Sequence, residues 1–138
     1  TIVLDTHALV WLLQGNTRLG PRARALIADA TQGEAGALIA AISIWEIAML
    51  VAKGRLALDR DVGEWIAAAL ALPGLRVAPL EPQVAVDATR LPGDPHGDPA
   101  DRMIIATARH HAATLITEDR LILDYAGAGH LKALRAAT

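Results

Sequence analysis

The chain has no cysteine, which excludes disulfides, thiolate metal sites and thiol catalysis. It has no phenylalanine either, and aromatics make up only 3% of the 138 residues although 53% are hydrophobic. The core must therefore be built from Ala, Leu, Ile and Val, and the hydrophobic content is that of a folded domain rather than a disordered chain. No uninterrupted apolar run reaches the roughly 18 residues that a membrane span needs. No basic segment leads into a signal-like apolar stretch. One cytoplasmic domain over residues 1–138, away from membranes, is the expectation. Lysine is scarce, with two Lys against 11 Arg in a chain of net charge −2. That balance gives no general attraction to nucleic acid, while the arginine bias leaves room for local, bidentate phosphate contacts.

What the chain does have is alternation. TIVLD (1–5), ALIAAI (37–42), LRVAPL (75–80) and ATLIT (113–117) read as short buried strands, and one more short strand is expected near 130–133. Helices are expected from Thr6, after Pro21, over 43–53, over 61–72, over 81–91 and over 99–111, and LPGDPHGDP (91–99) is the clearest loop. Strands apolar on both faces and separated by helices predict an α/β fold, a three-layer sandwich. Its central parallel sheet of four or five strands is covered by helices on both faces. Ligands of such folds gather at the carboxyl ends of the strands.

The acids fall where such a ligand would sit. Asp5 ends the first strand in an otherwise mostly apolar segment, TIVLDTHALVWLL. Glu46 is the only charge in ALIAAISIWEIAMLVA, Asp98 and Asp101 open a helix in GDPADRMIIATA, and Asp119 follows the fourth strand in TLITEDR. Each also has a purely structural role open to it. Ser43 and Glu46 have the spacing of a capping box, Asp98-Pro-Ala-Asp101 that of an N-cap with Pro at the first helical position, and Thr117-Glu-Asp that of a turn. Capping explains each acid separately but not their convergence on one sheet edge. Asp101 shares a helical stripe with Ile105 and Ala108, which points it inward, and Glu46 has no polar face around it. Clustered carboxylates raise one another's pKa unless a cation neutralises them, and hard oxygen donors without cysteine suit Mg²⁺, with Mn²⁺ as an alternative.

Four blocks, LDTHALVWLL, SIWEIAML, DPADRMIIATARHH and LITEDRLILDY, taken in this order, resemble the PIN-domain ribonucleases, specifically the VapC-type toxins of toxin–antitoxin pairs. The blocks span most of residues 1–125. The resemblance implies a PIN-like sandwich and a Mg²⁺-dependent endoribonuclease. Such an enzyme hydrolyses RNA phosphodiester bonds with metal-activated water and is inhibited by a cognate VapB-type antitoxin. It implies catalytic and metal-binding roles for Asp5, Glu46, Asp101 and Asp119, with Asp98 as an additional ligand, cap or supporting group. It implies supporting roles for Thr6, Ser43 and Thr117, and a homodimer or a toxin–antitoxin hetero-oligomer.

Other residues are weighed singly. His7, Arg102 and Arg120 are candidates for RNA contact, against core packing for His7 and charge neutralisation for the arginines. His96 and Asp98 have a spacing too common to specify a ligand pair, and His110-His111 suits a helix C-terminus. Trp11, Trp45 and Trp65 sit among aliphatics and are expected in the core. Apolar stripes over 21–30 and 43–53 are candidates for an antitoxin groove or a dimer seam. Two other function classes compete. A receiver-like Mg²⁺-binding signalling module needs paired acids after the first strand and an acceptor Asp ending a middle strand, and neither is present. A housekeeping RNA-processing or structure-specific nuclease on the same fold is the nearer rival.

Overall fold

The computed structural model describes residues 1–93, 95 and 97–138. Among them the chain forms β1 (Ile2–Leu4), α1 (Thr6–Leu13), α2 (Pro21–Gln32), β2 (Ala37–Ala40), α3 (Ala41–Ala52) and α4 (Val62–Leu70). It continues through β3 (Leu75–Ala78), α5 (Pro82–Ala88), α6 (Pro99–His110), β4 (Thr114–Thr117), α7 (Arg120–Gly127) and β5 (Lys132–Arg135). The strands form one parallel sheet in the order β3-β2-β1-β4-β5. The α/β sandwich expected from the alternation is therefore present, with the fifth strand included.

Successive side chains of a strand point to opposite faces, so each strand feeds two cores. Ile2, Leu4, Ile39, Leu75 and Ile116 face one core, which α1, α2 and α4 close with Leu9, Ile27 and Trp65. Val3, Leu38, Ala40 and Leu115 face the other, closed by Val84 of α5, Ile104 and Ile105 of α6, and Ile122 and Tyr125 of α7. Val3 lies opposite Leu38 on one neighbour and Leu115 on the other, which seats β1 at the centre of the sheet.

The strand order also places the functional edge. From β1 the chain steps outward to β2 and β3, then returns to the other side of β1 for β4 and β5. β1 and β4 are therefore neighbours whose following helices, α1 and α7, pack on opposite faces. At such a reversal the connections part and leave a crevice at the carboxyl ends of the strands.

Three expectations are corrected. β2 ends at Ala40, and Ala41 and Ile42 already belong to α3, since a continuous apolar run carries no periodic mark of the strand-to-helix change. The last strand lies at Lys132–Arg135 rather than near 130–133, because α7 takes up the preceding residues to Gly127. Trp11 and Trp65 are buried as expected, but Trp45 is 56% exposed on the outer face of α3.

Candidate metal centre

Asp5 continues β1 by one bond, its backbone N–H donating to Ile116 O of β4 at 3.0 Å. There the chain turns into α1 with Asp5 as the N-cap, and the side chain is only 5% exposed. One carboxylate oxygen accepts from the Thr6 N–H at 2.8 Å and the other from the Thr117 hydroxyl at 2.6 Å. The Thr117 hydroxyl in turn accepts from the Asp119 N–H at 3.0 Å, and Asp119 N-caps α7 through the Ile122 N–H at 3.0 Å. A single buried hydroxyl thus couples the acid after β1 to the acid after β4.

Asp98 N-caps α6 by accepting from the Asp101 N–H at 3.1 Å, with Pro99 at the first helical position. Asp101 is half-buried one turn in, on the stripe that buries Ile105 and Ala108. Glu46 is not part of a capping box: the N-cap of α3 is Ala40, and Ser43 lies inside the helix. The Glu46 carboxylate instead accepts from the Thr6 hydroxyl, which ties α3 to the start of α1. The Ser43 hydroxyl is fully buried and, among the described residues, has no hydrogen-bond partner.

These elements enclose a cleft of about 370 Å³ lined by Asp5, His7, Trp11, Glu46, Asp98, Asp101, Glu118 and Asp119. All five acids singled out in the sequence therefore meet in one place. The N-termini of α1, α6 and α7 converge with them, and their dipoles offset part of the negative charge. A larger groove, about 830 Å³ between α2, α7 and β5, carries one carboxylate, Asp29, among its lining residues and lies away from this cluster.

Electrostatics record the crowding. Burial pushes the Asp5 carboxyl above its ordinary range despite the bonds from Thr117 and Thr6. Glu46 is raised by burial and by repulsion from Asp5 and Asp98, against the Thr6 hydrogen bond and His7, which lower it. Asp101 is pushed up to about 8, first by burial and then by Asp5, Asp98, Asp119 and Glu46. A divalent cation would reverse each of these shifts, and the donors are the hard oxygens that Mg²⁺ and Mn²⁺ prefer. Among the described residues no three His, Asp or Glu side chains are placed so that together they could hold a metal ion.

The remaining predicted residues divide. His7 lines the cleft. Arg102 donates to Ala88 O at 2.8 Å and Pro95 O at 2.9 Å, fastening α5 and the loop before α6. Arg120 is exposed at the start of α7 and is not among the lining residues, and His96 lies outside the described residues. Two further lining residues, Glu118 and Trp11, were not placed at the site by the sequence, Trp11 having been expected only in the core. Glu118 adjoins Asp119 and is engaged by Arg135 Nε at 2.7 Å and the Ala137 N–H at 2.9 Å. Trp11 stands four residues after His7, on the same helical face, a spacing that could have placed it.

A family model for the PIN domain matches residues 2–128. The chain belongs to the PIN-domain family. It is 36% identical over 125 residues to Ribonuclease VapC22 of Mycobacterium tuberculosis (strain ATCC 25618 / H37Rv), covering 91% of this chain and 92% of that protein, which places it with the VapC-type members. The fold is shared with solved structures. VapBC2 from Rickettsia felis, bound to a promoter DNA fragment, superposes with a TM-score of 0.69 at 15% identity, over 96% of each chain. FitAcB from Neisseria gonorrhoeae does so with 0.65 at 22%, over 99% of this chain and 98% of that one. Among the described residues no helix is long and apolar enough to cross a membrane.

Proposed function

We propose that the protein is a Mg²⁺-dependent endoribonuclease, the toxin of a toxin–antitoxin pair, with its active site in the five-acid cleft. The observation that carries this reading is the convergence of Asp5, Glu46, Asp98, Asp101 and Asp119, from the starts of α1, α6 and α7 and the body of α3, on the crevice beside β1 and β4. Similarity to a ribonuclease across nine-tenths of the chain supports the substrate class.

In this reading the five carboxylates hold the ion. Once bound, Mg²⁺ would polarise the scissile phosphate and make water nucleophilic near neutral pH. The chain's own residues set the geometry. The Thr117 hydroxyl fixes one Asp5 oxygen and the Thr6 N–H the other, so the carboxylate cannot rotate. The Thr6 hydroxyl holds Glu46 toward the same cleft. Asp101 retains a proton at neutral pH without a cation and yields it when one binds, which makes ion uptake proton-coupled. Trp45, exposed beside Glu46 on α3, with half-buried Met49 one turn on, offers an apolar surface to an inhibitory partner protein.

The test is cleavage of a mixed RNA and DNA pool by purified protein in Mg²⁺, in chelator, and as Asp5→Asn. RNA cleavage confined to wild type with Mg²⁺ is expected, and a partner encoded beside the gene should suppress it. Cleavage that persists in chelator would overturn the metal-centred reading.

A further inference from the structure

A cleft lined by six carboxylates repels a polyanion, so an RNA strand needs fixed positive charge at its mouth. Neither Arg102, bound to backbone carbonyls, nor Arg120, outside the lining set, supplies it at the cleft wall. Arg18 does. α1 ends in a left-handed turn at Gly15 (φ +63°), with the Gly15 N–H donating to Leu12 O at 3.3 Å and the Asn16 N–H reaching back to Trp11 O at 2.9 Å. Buried Leu19 and Arg24, whose guanidinium bonds Leu19 O and Asn16 O at 2.8 Å each, clamp that turn from below. Within it, Asn16 Oδ1 accepts from the Arg18 N–H at 2.9 Å and from Arg18 Nε at 3.3 Å. The guanidinium lies over the Trp11 ring, 4.8 Å from its centroid, and Trp11 is itself a wall of the acid cleft.

Arg18 is therefore exposed but held in place by a stack and a side-chain bond. Its two terminal nitrogens have no acceptor among the described residues, and none of the cleft acids forms an ion pair with it. A planar pair of donors, fixed beside a site for phosphodiester chemistry, matches two oxygens of one phosphate. We infer that Arg18, carried on Trp11, binds a backbone phosphate of the single-stranded RNA entering the cleft. The inference rests on the ribonuclease reading for its substrate but can be tested apart from it.

The experiment measures binding of a labelled single-stranded oligoribonucleotide in Ca²⁺ over a range of salt, and cleavage of the same strand in Mg²⁺. Arg18→Gln should weaken binding about 5–10-fold and lower the slope of log affinity against log salt by about 0.7, the loss of one phosphate contact on a single strand. Arg18→Lys should keep the slope, because it keeps the charge. Arg22→Gln, an exposed arginine of α2 lining the separate groove, should behave as wild type. Melting temperature should fall by no more than about 4 °C in Arg18→Gln, the loss of one exposed cation–π contact. An Arg18→Gln affinity and slope equal to wild type would overturn the assignment, as would a wild type that binds no RNA. If the binding effects appear and wild type does not cleave in Mg²⁺, Arg18 stands as an RNA contact and the ribonuclease reading falls.

Discussion

Asp101→Asn should make the protein more stable in chelator at neutral and alkaline pH, although it alters a half-buried residue at the centre of the site. The folded-state carboxyl is raised from an ordinary 3.8 to about 8, so between these values the folded chain keeps a proton that the unfolded chain has released. Stability from this group is complete below pH 3.8 and falls as pH rises, until it is lost above about 8. Asp5 and Glu46, both raised, act in the same direction. At about 1.4 kcal/mol per tenfold change in proton affinity, the range from 3.8 to pH 7 corresponds to about 4 kcal/mol of unfavourable ionisation as an upper bound. Water reaches Asp101, and screening reduces the net effect to about 1–2 kcal/mol. For a chain of this size that is a rise in Tm of about 3–8 °C for the Asn variant at pH 7. Thermal unfolding in chelator from pH 5 to 9 measures it. Wild type should lose stability across that range and the variant should lose less, whereas saturating Mg²⁺ should stabilise wild type more than the variant. A variant less stable than wild type in chelator at pH 8, or a wild-type curve that rises with pH, would refute the reasoning.

Other substitutions probe the frame around the acids. Thr117→Val removes the donor to Asp5 and the acceptor of the Asp119 N–H, so urea unfolding should show a loss of about 1–3 kcal/mol; no loss would mean that the buried hydroxyl does not couple the two acids. Ser43→Ala deletes a buried hydroxyl without a partner and should leave unfolding free energy unchanged or higher by up to about 1 kcal/mol; a clear loss would reveal a partner for Ser43. Gly74→Ala should be strongly destabilising, by at least about 1 kcal/mol, because φ is +83° and a Cβ would meet the Thr31 backbone at 2.3 Å; a wild-type midpoint would contradict that packing.

The start of the chain was readable because its signals agree. A β-branched run, then Asp and Thr, then helical spacing marked β1 and α1 together, and the structure places both there, with Asp5 as an N-cap that the sequence reading did not assign. The meeting of the five acids followed from the parallel sheet, since each lies near a strand's carboxyl end or a helix start. The uniform run from Ala37 to Ala52 was less legible. It hid the β2–α3 boundary, made Ser43 and Glu46 resemble a capping box, and could not show which face of α3 leaves Trp45 exposed. Arg18 was beyond sequence reading for another reason. Its place depends on a left-handed Gly15 turning the chain back over Trp11, a tertiary relation with no periodic trace.

Calorimetric titration with Mn²⁺, at pH 7 in two buffers of different ionisation enthalpy, tests the central claim most directly. The five-acid cleft should bind the ion with release of protons, chiefly from Asp101, and Asp5→Asn and Asp101→Asn should weaken binding by about tenfold or more. Absence of saturable binding to wild type, or equal binding by wild type and Asp5→Asn, would contradict it.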